Sequence, residues 1–352
     1  MYFTPRKRTV AGKLFLVLAL ALPFAAIPGI VEAGATLDKI RKSRQLRCGV
    51  SEGKIEGFSF RDGNGRWQGI DADFCRAVAA AVLGDAEQVK FVPLATSARF
   101  PALKLDTIDL LARNTTYTFS REAEMGLHFA GILYFDYQAV IVPSRSKVRR
   151  ISDLDGATIC VIQGTTSETN LTDFFTTRKI RYVPLTLPSE EEAGKAFLEG
   201  RCQAASSDAS KLSILRARTP KGNDKFRILP DIIAKEPLGP VIKKGDEEWL
   251  TVVKWVLFAL IEAEEQGVSR YNARFQHDEN ADRFVQDLLG VSNSAGRALG
   301  LSDDWAVQVI EAAGNYGEMF ERNVGRQSRL KLDRGLNSHW TKGGLMYSPP
   351  LH

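Results

Sequence analysis

A chain of 352 residues with 44% hydrophobic and 25% charged residues has a globular make-up, and it is longer than one hydrophobic core ordinarily fills. Its net charge of +5 is concentrated at the start: without residues 1–33, 43 basic residues face 41 acidic ones, a balance of +2. With no concentrated Lys/Arg stripe left, nucleic-acid binding has no support.

In chain order, Arg6, Lys7, Arg8 and Lys13 precede an apolar stretch from Leu14 to Ile27, and Val31-Glu32-Ala33 offers small residues for cleavage. That is the layout of a secretory signal peptide, residues 1–33, and it predicts an exported protein. The stretch is shorter than the roughly 20 residues needed to span a bilayer, and Pro23 interrupts it. Next come a short strand, "LRCGV", and the run "RDGNGRWQG", whose glycines suit a hairpin turn. The helix "DFCRAVAAAVLG" follows, with Phe74, Ala77, Val78, Ala81 and Val82 on one stripe. Residues 108–112, "IDLLA", read as a buried strand that ends in "ARNTTYTFSR". Further on lie the strands "ATICVI" and "GRCQAASS", and Val252–Ile261 reads as a core helix. Short strands alternating with helices indicate α/β layering.

The four cysteines, Cys48, Cys75, Cys160 and Cys202, all follow residue 33. An even count in an exported chain suggests disulfides, and three pairings are open. Local pairing, Cys48 with Cys75 and Cys160 with Cys202, puts one bridge in each half and is the arrangement expected. The four histidines form no ligand pair at helical spacing, so no metal site is predicted, and no nucleophile elbow or Walker loop is present.

Three polar segments at strand ends carry the chemistry. Asn114, Thr115, Thr116 and Thr118 lead to Arg121, a guanidinium at the end of a core strand. In "CVIQGTTSETNLTDFF", Thr165 and Glu168 form a capping-box pattern that starts a helix there. The N–H groups of Thr166 and Ser167 then lie unpaired at the positive end of the helix dipole, where a carboxylate can bind. Asp208 follows a strand and precedes a helix, where by itself it would serve as an N-cap. A guanidinium and helix N–H groups for an anion, with a carboxylate for a cation, match the two charges of an α-amino acid. Strand ends are where ligands of α/β folds generally bind.

The stretches "GFSFRDGNGRWQGIDADFCRAVAAAVLGD", "LLARNTTYTFSRE", "LHFAGILYFDYQAVIV", "DLDGATICVIQGTTSETNL", "GRCQAASSDASKL" and "IAKEPLGPVIKKGDEEW" resemble the periplasmic solute-binding proteins of polar amino-acid ABC transporters, most nearly the general L-amino acid-binding branch. The likeness runs on through "NYGEMFERNVG" and "HWTKGGLMYSPP" and covers nearly all of residues 37–352. It implies the bilobal type II periplasmic binding protein fold, with two α/β lobes joined by two hinge strands, "YFDYQAV" and "EPLGPVI". Lobe 1 would comprise residues 37–137 and 241–352, the latter with a C-terminal helical extension, and lobe 2 residues 138–240.

Carried over by position, Arg121 would hold the ligand carboxylate and Thr116 would touch both ends of the amino acid. Asn114 would offer its backbone carbonyl to the ammonium, Thr166 a backbone N–H to the carboxylate, and Asp208 its carboxylate to the ammonium. Phe58 would supply an apolar wall. Ile55 stands where relatives specific for basic amino acids carry a stacking tyrosine, which argues against narrow lysine or arginine selectivity. The implied function is capture of L-amino acids of many kinds and delivery to a membrane permease, by a monomer without cofactor or catalytic residue. An alternative on the same fold is a cyclohexadienyl (arogenate) dehydratase, which would need a general acid beside a leaving hydroxyl.

Overall fold

Fourteen short strands sort into three sheets in the computed structural model, which describes residues 1–5 and 34–351. The predicted signal peptide falls almost wholly outside the described residues. By contacts the chain forms two units, Met1–Glu32 and Ala33–His352, and everything below concerns the second. No helix among the described residues is long and apolar enough to cross a membrane.

The strands are β1 (Leu46–Val50), β2 (Lys54–Ile55), β3 (Ser59–Arg61), β4 (Trp67–Gln68), β5 (Val89–Pro93), β6 (Leu110–Leu111) and β7 (Leu127–Phe129), followed by β8 (Tyr134–Pro143), β9 (Ala157–Ile162), β10 (Tyr182–Leu187), β11 (Ala204–Asp208), β12 (Phe226–Ile228), β13 (Ala234–Leu238) and β14 (Val241–Lys243). The first sheet has the order β5-β1-β6-β14-β7, with β14 antiparallel to both neighbours. The second has the order β10-β9-β11-β8-β12, and β13 also pairs with β8. β2, β3 and β4 form a small antiparallel sheet. Its turn is the predicted hairpin, in which the Asp62 carboxylate accepts the N–H groups of Asn64 and Arg66.

Both main sheets are covered on both faces, as strands in α/β layers require. Successive residues point to opposite sides, so Leu110 and Ile242 enter one core while Leu111 and Val241 enter another. The larger core takes in the helices Ile70–Leu83, Glu247–Glu265, Trp305–Ala313 and Tyr316–Asn323. Each fully buried Val, Leu or Ile there, such as Val78, Leu257 or Ile310, contributes roughly 1.5–3 kcal/mol over its exposed state. In the second sheet Ala139 and Ile141 face one core, Val140 and Val142 the other.

Cys48 is bonded to Cys75 and Cys160 to Cys202, with Cα–Cα distances of 6.1 and 5.7 Å. The first bridge ties β1 to the helix Ile70–Leu83, and the second ties β9 to the turn before β11. Gly69 starts that helix with φ at 114°, and a Cβ there would stand 2.1 Å from the Phe58 carbonyl oxygen. Only glycine allows the hairpin to close on the helix, where Asp71 N–H donates to that same carbonyl at 2.9 Å.

Two connections join the main sheets: β7 leads into β8, and β13 leads into β14. β8 and β13 pair antiparallel, with Glu236 directly opposite Asp136. A C-terminal residue braces the start of β8. Asn337 accepts the Phe135 N–H at 2.7 Å and donates to the Phe135 carbonyl at 3.0 Å. The Tyr316 hydroxyl donates to the Leu133 carbonyl at 2.9 Å.

Candidate functional site

The run that follows β6 does not form a regular element, and the reason is local. Asn114 takes a left-handed φ of 39°, which asparagine tolerates better than most residues, and its N–H donates to the Asp71 carboxylate at 3.2 Å. The chain then lies along β13: Tyr117 N–H reaches the Pro237 carbonyl at 2.7 Å, and Gly239 N–H reaches Thr115. Thr118 caps the next helical turn by accepting the Arg121 N–H. That turn aims the Arg121 guanidinium back at the Thr116 carbonyl, to which it donates at 2.6 Å.

Arg121 is one of three arginines here that are buried to within a few per cent. Arg99 and Arg121 stand 4.7 and 5.3 Å from the Phe100 ring centre, one guanidinium and the other. Arg113 donates to the Leu94 carbonyl at 2.9 Å and to the Thr96 hydroxyl at 3.1 Å. None of the three has a carboxylate within 4.0 Å among the described residues, and Arg99 Nε has no hydrogen-bond partner. Burial, then the neighbouring Arg121 and Arg113, pull the Arg99 guanidinium down to about 9, which leaves it charged at neutral pH. Burial lowers Arg113 and Arg121 as well. Glu236 and Asp208 act on Arg121 and Arg99 through their charge from beyond contact distance, and desolvated cations without a carboxylate in contact make a site that a bound carboxylate stabilises.

The helix Thr166–Thr177 approaches from the second sheet. Thr165 is its N-cap, as the capping pattern predicts, and accepts the Glu168 N–H. The reciprocal bond differs: the Glu168 carboxylate takes the N–H of Gly164, at 2.8 Å, instead of that of Thr165. The Thr116 and Thr166 hydroxyls are 3.3 Å apart, so the runs after β6 and after β9 meet.

Asp208 ends β11 in the N-cap position, yet its carboxylate makes no cap bond. It pairs with Lys211 at 2.9 Å, whose ammonium is also 3.9 Å from Glu190. A cation three residues along the helix competes with the helix N–H groups for the carboxylate. Burial opposes the charge on Lys211, but Asp208 and Glu190 hold its ammonium above the usual range. Phe58 is enclosed in the larger core, edge-on to Tyr134 at 5.1 Å.

Of the six residues expected at the ligand, Thr116 and Thr166 touch, Arg121 reaches Thr116, and Asp208 acts on Arg121 through its charge. The Asn114 N–H goes to Asp71, outside the six, and its buried side-chain amide has no hydrogen-bond partner among the described residues. Phe58 packs behind. Sequence reasoning missed Arg99, Arg113, Lys211 and Glu236. Beside the site, between β2 and the helices of the second sheet, lies a cavity of about 440 Å³ lined by Ile55, Glu190, Ser207, Lys211 and Leu212 among others. Ion pairs Lys54–Glu191 and Arg218–Glu56 bridge its rim. The Lys54–Glu191 pair is exposed at both ends and does little to hold the two sides together, and Arg218–Glu56 is sheltered only at the carboxylate.

Burial raises two carboxyls near the site to about 7: Asp71, under Asn114, and Asp136, which Asp208 also raises. Glu190 and Glu236 shift the same way, chiefly from burial. A carboxyl raised on folding keeps a proton that the unfolded chain has released, so its stabilisation is full below pH about 4 and is lost as pH rises to about 7. The unfolding free energy of the ligand-free protein should therefore fall between pH 5 and pH 8, by an amount on the order of a few kcal/mol, and the melting temperature should fall with it. Asp71→Asn, which keeps an acceptor for the Asn114 N–H, should flatten that slope. A wild-type melting temperature that rises across this window would count against the assignment.

Two α/β sheets joined by paired strands, with polar strand ends converging between them, define a solute-binding fold, and comparison with known proteins agrees. Residues 46–268 match the bacterial extracellular solute-binding proteins, family 3, and the chain belongs to that family. It is 43% identical to the glutamate/glutamine/aspartate/asparagine-binding protein BztA of Rhodobacter capsulatus, over 94% of this chain and 97% of the relative. It is 41% identical to the general L-amino acid-binding periplasmic protein AapJ of Rhizobium johnstonii, over 96% of this chain and 98% of the relative. A solved periplasmic binding protein from Brucella ovis with glutathione bound superposes with a TM-score of 0.87 at 42% identity, covering 90% of this chain and 99% of that one. These relatives are binding proteins.

Proposed function

We propose that the protein captures L-amino acids in the periplasm, acidic and amide side chains included, and presents them as a monomer to the membrane permease of an ABC transporter. The observation that carries this reading is the buried group Arg99, Arg113 and Arg121, none with a carboxylate within 4.0 Å among the described residues, with Thr166 meeting the Thr116 that Arg121 holds and Asp208 acting on Arg121 and Arg99 through its charge. Arg121 and the Thr166 N–H would take the α-carboxylate. Asp208, Thr116 and the Asn114 carbonyl would take the ammonium, with Phe58 as an apolar backing. Arg99, set apart by its unpartnered Nε, would meet a side-chain carboxylate. The lobes would be residues 37–137 with 241–352, and 138–240, closing about β8 and β13. Relatives described as binding glutamate, glutamine, aspartate and asparagine, or L-amino acids generally, support the same substrate class, and export by residues 1–33 would bring the protein to it.

A thermal-shift screen of the natural amino acids in both enantiomers tests this, because ligand bound only to the native state raises its apparent stability. L-glutamate, L-aspartate and L-glutamine should raise the melting temperature, while D-glutamate and the α-amide of L-glutamate should not. Arg99→Gln should weaken L-glutamate about tenfold or more relative to L-glutamine in calorimetric titration. Stabilisation by sugars alone, or by one side-chain class alone, would overturn the reading.

A further inference from the structure

Glu236 lies within β13 with none of its surface exposed. One carboxylate oxygen accepts the hydroxyls of both Thr116, at 2.5 Å, and Thr166, at 2.9 Å. The other accepts the Asn170 side-chain amide at 3.1 Å. Three donors from two sides of the site converge on one carboxylate. A purely structural latch would explain that, but the proton count says more.

Each threonine hydroxyl has one proton, and an ionised carboxylate has none. With Glu236 accepting from both, the protons of Thr116 and Thr166 are committed, and only lone pairs remain for anything else the two oxygens meet. Their mutual approach at 3.3 Å then sets lone pair against lone pair, an arrangement that a donor between them relieves. A carboxylate or ketone oxygen placed there would be repelled. An ammonium group fits, and Asp208 lies near enough to raise the Glu236 carboxyl through its charge.

We propose that Glu236 is a positioning residue that fixes the Thr116 and Thr166 hydroxyls as acceptors, so that this part of the cleft seats a protonated amino group and selects amino acids over 2-oxo acids of the same shape. The inference rests on the amino-acid reading above and adds the source of the amine selectivity. It also divides the work of Thr166, whose backbone N–H serves an anion while its hydroxyl serves a cation.

Calorimetric titration of wild type, Glu236→Gln and Glu236→Leu with L-glutamate and with 2-oxoglutarate tests it, with circular dichroism as a folding control. Glu236→Leu frees both hydroxyl protons, and should weaken L-glutamate about 30-fold or more while 2-oxoglutarate changes less than about threefold or binds better. Glu236→Gln removes the charge and puts a donor NH2 in place of one acceptor oxygen, against either the Asn170 amide or the threonine hydroxyls, and should reduce the ratio of the two affinities by about tenfold. If the leucine variant does not fold, the glutamine variant decides. Equal losses for both ligands, or an unchanged ratio, would overturn the proposal and leave Glu236 a latch. Wild type binding neither L-glutamate nor any other amino acid would instead overturn the functional reading beneath it.

Discussion

Arg121→Ala should lower amino-acid affinity by at least about 2–5 kcal/mol and leave the fold intact, because truncating one member of a desolvated charge pair strands the other. The guanidinium's own partners are the Thr116 carbonyl and the Phe100 face, so removing it breaks no ion pair within 4.0 Å among the described residues, although Glu236 and Asp208 lose a nearby positive charge. It also relieves Arg99 of a neighbouring positive charge. Arg121→Lys should recover only part of the loss, since a point charge lacks the planar fork that can bind a carboxylate bidentately. Asp208→Ala should cost a similar amount of affinity but behave differently in the absence of ligand. Its carboxylate holds the buried Lys211 ammonium, which would be left with Glu190 at 3.9 Å, so this variant should melt lower than wild type. Titration with the best ligand from the screen, alongside melting curves, separates the two cases. Folded variants of unchanged affinity would remove both residues from the site.

The disulfides should account for the other large effect. They close loops with sequence separations of 27 and 42 residues, which the chain-entropy estimate converts to about 3–4 kcal/mol apiece. Replacing Cys48 and Cys75 together, or Cys160 and Cys202 together, should lower the unfolding free energy by about that amount. The bridges lie in separate cores, so the two losses should be nearly additive in the fourfold variant. Neither pair is among the groups proposed to bind the ligand, and affinity should hold while the urea midpoint falls. A midpoint unmoved by loss of either pair would refute the estimate.

What the sequence made legible was local. The helix start at Thr165 is a pattern of four residues, and the strand ahead of Asn114 is a run of apolar residues bounded by charge. Both can be read without knowing what lies opposite. Pairing the cysteines by proximity worked because each bridge joins neighbouring elements of one core. Asp208 was half legible. Its place at a helix start follows from sequence, but the choice of Lys211 over the cap depends on a burial that no spacing discloses. Arg99 and Arg113 carry no spacing signal, and only the fold buries them, setting Arg99 and Arg121 against one phenyl ring with Arg113 close enough to act on Arg99 through its charge. Glu236 interrupts an otherwise unremarkable strand, and the threonines that explain it come from elsewhere in the chain.

The place of β14 in the first sheet carries a consequence for how the polypeptide assembles. β14 lies between β6 and β7, although the whole second sheet, β8 through β13, separates it from them in the chain. Until residues 241–243 arrive, β7 has no neighbour to pair with and β6 has an open edge. The second sheet draws all its strands from one continuous segment, 134–238, and can complete itself first. The first must wait for a segment made later, and the start of β8 waits longer still, for Asn337. During vectorial emergence the middle of the chain is thus free to mature ahead of both its ends, with strands β6 and β7 exposed for the longest time and most in need of protection from pairing with another copy.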